Sequence, residues 1–273
     1  MEFERGREAS GADTGGEPPA LLVESLSKAY DGTLALQDLS FDARSGEIVG
    51  LVGPNGAGKT TALRSIAGVL PIHEGRVLVA GHDVARDEVE AKRRLAWVPD
   101  DPQPFDTLSV SEHLEFTAAL HDIRAWRERA QELLERFELA EKKDALGGEL
   151  SRGMRQKLAF ACAWLPRPRL LLLDEPLSGL DPRGIRSARE AIRDLARSGT
   201  AVLLSSHQLE LIQALADRIL ILDRGRRVFL GTLAEARASR AGLAGSSLED
   251  IFFAATGEAE VGIEEPRSAE QER

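Results

Sequence analysis

Cysteine occurs once in the 273 residues, at Cys162, so no intrachain disulfide is possible. That usage suits a reducing compartment. Tyrosine also occurs once, at Tyr30. No run approaches the ~18 apolar residues that a membrane-spanning helix needs. The first residues, Met1 to Arg5, are acidic and carry no apolar stretch, so no signal peptide is expected. Bases are in deficit: 35 Lys and Arg stand against 45 Asp and Glu, for a net charge of −10. Most of that charge sits at the two ends. Residues 1–19 carry five acids and two bases, and residues 257–273 carry six acids and two bases. Both ends read as solvated disorder. What remains is nearly neutral and offers no basic footprint, so no nucleic-acid partner is expected.

With 42% hydrophobic content, the chain can bury the core of one large α/β domain, with room for a helical subdomain. The most informative stretch is Gly53-Pro54-Asn55-Gly56-Ala57-Gly58-Lys59-Thr60, which fits G-x-x-x-x-G-K-[ST] without a mismatch. Ile48–Val52 before it reads as a buried strand. Thr61–Ala67 after it reads as a helix with Leu63, Ile66 and Ala67 on one side. Strand, glycine loop and helix form the setting in which this motif cradles phosphate. Gly53, Gly56 and Gly58 are expected to take backbone angles that other residues avoid. Successive N–H groups then face inward at a helix N-terminus. Lys59 adds a positive charge for the β- and γ-phosphates, and the Thr60 hydroxyl is placed to ligate Mg²⁺.

Along the chain, residues 21–26 and 34–41 alternate as strands of an antiparallel flank. Tyr30 falls on the loop between them, where its ring could pack or could stack on a purine. Residues 75–80 and 95–98 read as strands, 88–94 as a short charged helix, and the proline-rich 100–106 as loop. Residues 109–165 read as wholly helical. Ser109 and Glu112 form a capping box. Trp126, Ala130, Leu133, Leu134 and Phe137 share one apolar face. Leu146-Gly-Gly-Glu breaks the helix, and Ser151 starts another that runs to Trp164. Asp181 caps the next helix, with Pro182 at its first position. A strand over 201–205, a helix over 208–216, a hairpin over 218–230 and helices near 232–239 and 247–256 complete the chain.

Leu170–Leu173 is a strand that ends in Asp174 and Glu175. A buried parallel strand delivers such a carboxylate to the C-terminal edge of a sheet, where ligands bind. Asp174 suits Mg²⁺, held through water, and Glu175 suits a base that accepts a proton from attacking water. His207 follows the next expected strand, in Leu-Leu-Ser-Ser-His. A lone histidine there is usually structural, but its position argues for the same edge and the γ-phosphate.

Leu150-Ser-Arg-Gly-Met154 resembles the LSGGQ signature of ATP-binding cassette (ABC) ATPases. The resemblance covers residues 20 to about 232. Tyr30 matches the adenine-stacking aromatic, residues 53–60 the Walker A loop and 170–175 Walker B. Residues 178–181 match the D-loop and His207 the switch histidine. It implies a P-loop NTPase core with a mixed, mainly parallel sheet, an antiparallel β flank and a helical signature subdomain over about 107–166. The ATPase domain would span 20–240, followed by a short extension over 241–273 ending in the acidic tail. The implied ligands are ATP and Mg²⁺. Tyr30, Gly53, Pro54, Asn55, Gly56, Ala57, Gly58, Lys59, Thr60, Thr61, Ser151, Gly153 and Asp181 would bind nucleotide. Glu175 and His207 would be catalytic, and Thr60, Asp174 and Asp100 would serve the metal.

In this family two cassettes meet head to tail, so the resemblance implies a second copy of the chain or a related ABC ATPase. It also implies a separate transmembrane permease and a place on the cytoplasmic face of the membrane. The Leu-Ser-x-Gly-Met form and the ending Ser-Leu-Glu-Asp-Ile-Phe-Phe resemble bacterial ABC-2 or multidrug exporter subunits. Two positions depart from the family pattern. Asp100 stands where Gln is usual, with Gln103 nearby, and Arg152 replaces the first signature glycine. A soluble ABC ATPase, such as an iron–sulfur assembly subunit, is the alternative expectation. A non-hydrolysing ATP-binding regulator is a third, against which Glu175 and His207 argue.

Overall fold

The computed structural model describes residues 18–238 and 247–256. The tails expected to be disordered lie outside the described residues, apart from Pro18 and Pro19. Ten strands and nine α-helices are found among those described. The central sheet holds β3 (Ile48–Val52), β6 (Leu95–Val98), β7 (Leu170–Asp174), β8 (Ala201–Ser205), β9 (Arg218–Asp223) and β10 (Arg226–Gly231). Its order is β10-β9-β3-β8-β7-β6, and every pairing is parallel except β10 with β9. A second, antiparallel sheet runs β2 (Thr33–Ala43), β1 (Leu21–Tyr30), β4 (Glu74–Val79), β5 (His82–Asp83).

The parallel strands are apolar on both faces because both are covered, as such sheets require. Side chains alternate between two cores. Leu170, Leu172, Leu203, Val49 and Leu51 join the antiparallel sheet and α1 (Lys59–Ile66). Leu171, Leu173, Val202, Leu204 and Val52 join the helical side. That side includes α3 (Val110–Leu120), α4 (Arg127–Arg136), α5 (Arg152–Trp164), α6 (Pro182–Arg197), α7 (Leu209–Leu215) and α9 (Leu248–Thr256). The remaining helices are α2 (Glu88–Arg93) and α8 (Leu233–Ala238).

Two expectations need correction. Tyr30 is not on a loop: it is the last residue of β1 and pairs with Thr33. β1 runs past Leu26 because register shifts between Val23 and Ala29, with Ser25 at φ 49°, let it keep pairing. Residues 109–165 are not wholly helical. α3 and α4 each end in a left-handed residue, Asp122 (φ 55°) and Glu138 (φ 56°). In each case the next N–H turns back to a carbonyl of the last turn: Ile123 to Ala118 at 2.9 Å and Leu139 to Leu134 at 2.7 Å. This is a Schellman-type stop that local charge and periodicity did not reveal. The capping box at Ser109 and Glu112 is formed, with bonds of 3.2 and 2.7 Å.

Gly50 faces α7 from the middle of β3. A β-carbon there would overlap Ile212 and lie 3.1 Å from the Ala216 β-carbon. Gly50→Ala is therefore expected to destabilise the fold by about 1–3 kcal/mol through overpacking, measured by denaturant unfolding.

Candidate functional site

β3 ends in the core, and the chain turns through Gly53–Gly58 into α1. The glycines do different work. Gly56 (φ 79°) and Gly58 (φ 102°) adopt left-handed angles, as expected, whereas Gly53 does not. Gly53 is required by space: a β-carbon would collide with the Leu222 carbonyl oxygen at the end of β9. Gly58 also sits so close to β2 that a β-carbon would come 2.5 Å from the Ala35 oxygen. The loop is thus clamped between β9 and β2, and α1 begins at Lys59, two residues earlier than the sequence suggested. No acid occupies the first turn of α1 and no side chain caps it. Its leading N–H groups and dipole favour an anion.

The Lys59 ammonium donates to the Gly53 and Pro54 carbonyls at 2.5 and 3.1 Å. Burial pushes its pKa below the ordinary lysine value, while the charges of Glu175 and Asp174 pull the other way. Asn55 to Thr61, Ala35, Asp174 and Glu175 line one cavity of about 300 Å³. Gly53, Pro54 and His207 line a neighbouring cavity of about 380 Å³ with Ser206, Leu209 and Phe252.

The carboxylates arrive by strand register. Asp174 pairs with Ser205 across β7 and β8, so both side chains point to the face that carries α1. Asp174 is 6% exposed, and the Ser205 hydroxyl donates to it at 2.6 Å. Glu175 leaves the strand at φ 46°, a left-handed angle that costs a non-glycine residue of order 1–3 kcal/mol. Its N–H donates to the Ser205 carbonyl at 3.1 Å. Its Oε2 lies 2.8 Å from His207 Nδ1 and accepts from Ser206 Oγ at 3.3 Å. The histidine ring itself is mostly exposed.

Sequence reasoning missed Ser205, Ser206 and Ala35. The pair of serines before His207 was the available signal, but only the β7–β8 register assigns one to each carboxylate.

Five expected site residues are brought to neither cavity. Tyr30 stands 45% exposed at the end of β1. Ser151 caps α5, accepting from the Met154 N–H at 3.3 Å. Gly153 lies two residues on, in the first turn of α5, where a β-carbon would come 3.1 Å from the Gly179 oxygen. Asp181 caps α6, accepting from the Gly184 N–H at 2.8 Å. Asp100 is exposed and pairs with Arg152 at 3.3 Å. Gln103 donates to Asp101 at 2.7 Å and lines a different, apolar groove.

The arrangement offers an anion cradle, a cation, a hydroxyl, a buried carboxylate and a carboxylate beside a histidine. Those are the parts needed for phosphoryl transfer to water. Residues 36–178 match the family model described as ABC transporter. The chain is 38% identical to the daunorubicin resistance ATP-binding protein DrrA3 of Streptomyces coeruleorubidus, over 82% of this chain and 71% of that protein. It is 32% identical to the ABC-type transporter ATP-binding protein EcsA of Bacillus subtilis (strain 168), over 87% and 97% respectively. A solved structure of an ATP-binding subunit of an ABC transporter superposes with a TM-score of 0.83 at 32% identity, over 86% of this chain and 99% of that one.

Removing the Ser205 hydroxyl leaves the buried Asp174 carboxylate short of a donor. Ser205→Ala is expected to lower stability by about 1–3 kcal/mol, read from the shift of the unfolding midpoint in denaturant.

Proposed function

Because this chain belongs to the ABC transporter family as an ATP-binding subunit, and its relatives are ATPases coupled to transport, we propose that it powers export by ATP-driven pairing with a second cassette. One observation carries this. The P-loop cavity gathers the cradle and both carboxylates, while Ser151 and Gly153 lie elsewhere, at the start of a helix whose N-cap is exposed. An α5 N-terminus is itself an anion site by dipole and free N–H groups. Two copies arranged head to tail put the α5 terminus of each over the phosphates held by the other.

In this scheme the P-loop amides and Lys59 hold the β- and γ-phosphates. Tyr30, exposed at the end of β1, stacks on the adenine. The Thr60 hydroxyl and Asp174 line one cavity and form a hard oxygen donor set that fits Mg²⁺, which keeps several waters. Mg²⁺ would there neutralise charge between the phosphates. Glu175 takes a proton from the water that attacks the γ-phosphorus, and the bond to the β-phosphate oxygen breaks. His207 orients Glu175 through the 2.8 Å contact. Asp181 lies on the D-loop side of the same interface.

A separate permease fits the other prominent surface feature. A groove of about 360 Å³ runs between the 99–105 loop, α3 and α5. Phe105, Phe116 and Leu120 line it and are 56%, 44% and 61% exposed. Phe116 meets Phe105 edge to face. Cys162 also lines it, and burial pushes its thiol pKa up to about 11, so it stays protonated. Burial, then the Arg93 charge, hold His121 below the ordinary histidine range. A largely apolar groove of this kind suits an amphipathic helix. No helix among the described residues is long and apolar enough to cross a membrane, so a membrane-embedded partner would hold the chain at the cytoplasmic face. The resistance protein named above supports export as the direction.

Glu175→Gln should form a dimer only with Mg-ATP, seen as a doubled mass by light scattering; a monomer in both conditions counts against the pairing. Phe105→Ala should lower transport in the complete complex by about tenfold or more, comparable to loss of an interface anchor, with ATP binding unchanged. Equal loss of both activities would remove the groove from the permease contact.

A further inference from the structure

Arg152 and Asp100 are far apart in sequence, yet their side chains meet. Arg152 Nη2 lies 3.3 Å from Asp100 Oδ1 and donates to Ser178 Oγ at 2.9 Å. The arginine stem runs along Gly179, where a β-carbon would stand 3.0 Å from its Cδ. Gly179 takes φ 77°, so a larger residue there would be strained and would displace the stem. One side chain at the start of α5 thereby touches two loops of the nucleotide core, the one after β6 and the one after β7.

Each charge is unfavourable alone. The first turn of α5 holds Arg152 and no acid, which opposes the helix dipole. Asp100 adds a negative charge to a loop beyond the sheet edge that carries Asp174 and Glu175. Paired, they neutralise each other, and Asp100 supplies from another element the anion that the α5 N-terminus lacks. The pair is about half exposed on both sides, so its worth is modest. The hydrogen bond to Ser178 and the packing on Gly179 add geometry that a lone surface pair does not have.

We propose that Asp100 and Arg152 form a matched clasp that positions the α5 N-terminus, and with it Ser151 and Gly153, against the loops following β6 and β7. Both are positioning residues, and Asp100 serves Arg152 rather than the metal. The idea extends the ATPase reading by explaining how the α5 terminus is aimed. It predicts that the two departures from the family pattern depend on each other.

The test is a double-mutant cycle in the full chain: Asp100→Ala, Arg152→Ala and both together. Hydrogen exchange of the α5 first-turn amides without nucleotide should rise about two- to fivefold in each single variant. It should rise no further in the double variant. Exchange in β8 should not change, which separates local loosening from misfolding. Steady-state kinetics should show kcat lowered by a similar factor with the KM for Mg-ATP unchanged. Exchange that stays at the wild-type rate in the singles, or effects that multiply in the double, would overturn the clasp. So would an increase in KM for Asp100→Ala alone, which would return Asp100 to the nucleotide. The kinetic arm rests on hydrolysis at this site, but the exchange arm does not. A wild-type chain that hydrolyses nothing would therefore sink the proposed function while the exchange cycle still decides the clasp.

Discussion

Parallel pairing of β7 with β8, and of β8 with β3, aligns three chain segments at one sheet edge. Asp174 stands opposite Ser205, Glu175 follows one residue beyond and His207 two, and the P-loop leaves β3 beside them. A slip of one residue in β7 against β8 would turn Asp174 away from the face that carries α1. Register is held because both faces are buried. Leu170 and Leu172 fill one core while Leu171 and Leu173 fill the other. The chemistry therefore borrows its precision from aliphatic packing several residues away.

Close backbone approach is the second requirement. Gly53 lies against the end of β9 and Gly58 against β2, so the phosphate loop is wedged between the central sheet and the antiparallel flank. The Gln37 N–H donates to the Gly225 carbonyl at 2.8 Å, and the Gly225 N–H donates to the Ala57 carbonyl at 3.0 Å. The antiparallel sheet thus serves as a wall for the loop as well as a cover for the core. Nothing in its own hydrophobic pattern announces that role.

The helical side carries the elements on which the proposed pairing and docking rest. Capped helix starts at Ser151 and Asp181 face outward rather than into the cavity of their own chain. The apolar groove lies between the 99–105 loop, α3 and α5. A contact made at that groove is one loop away from Asp100, and Asp100 is one ion pair away from α5. The groove proposed to meet a partner, the Asp100–Arg152 contact and the start of α5 are thus contiguous in the structure.

Much of this was legible in the chain itself. The strand, glycine loop and helix around Lys59 were, because backbone freedom and phosphate chemistry demand particular residues at fixed local spacing. The same holds for Leu170 to Glu175, where four leucines end in two acids, and for the caps at Ser109, Ser151 and Asp181. Local pattern did not reveal the left-handed stops at Asp122 and Glu138, the extension of β1 to Tyr30, or why Gly53 is glycine. Those depend on what lies across a gap in sequence. The pairing of Ser205 with Asp174, of His207 with Glu175 and of Arg152 with Asp100 was decided only by tertiary structure. Each joins residues 31, 32 and 52 positions apart, respectively, and such distances in the chain are closed by sheet register and helix packing rather than by any local preference.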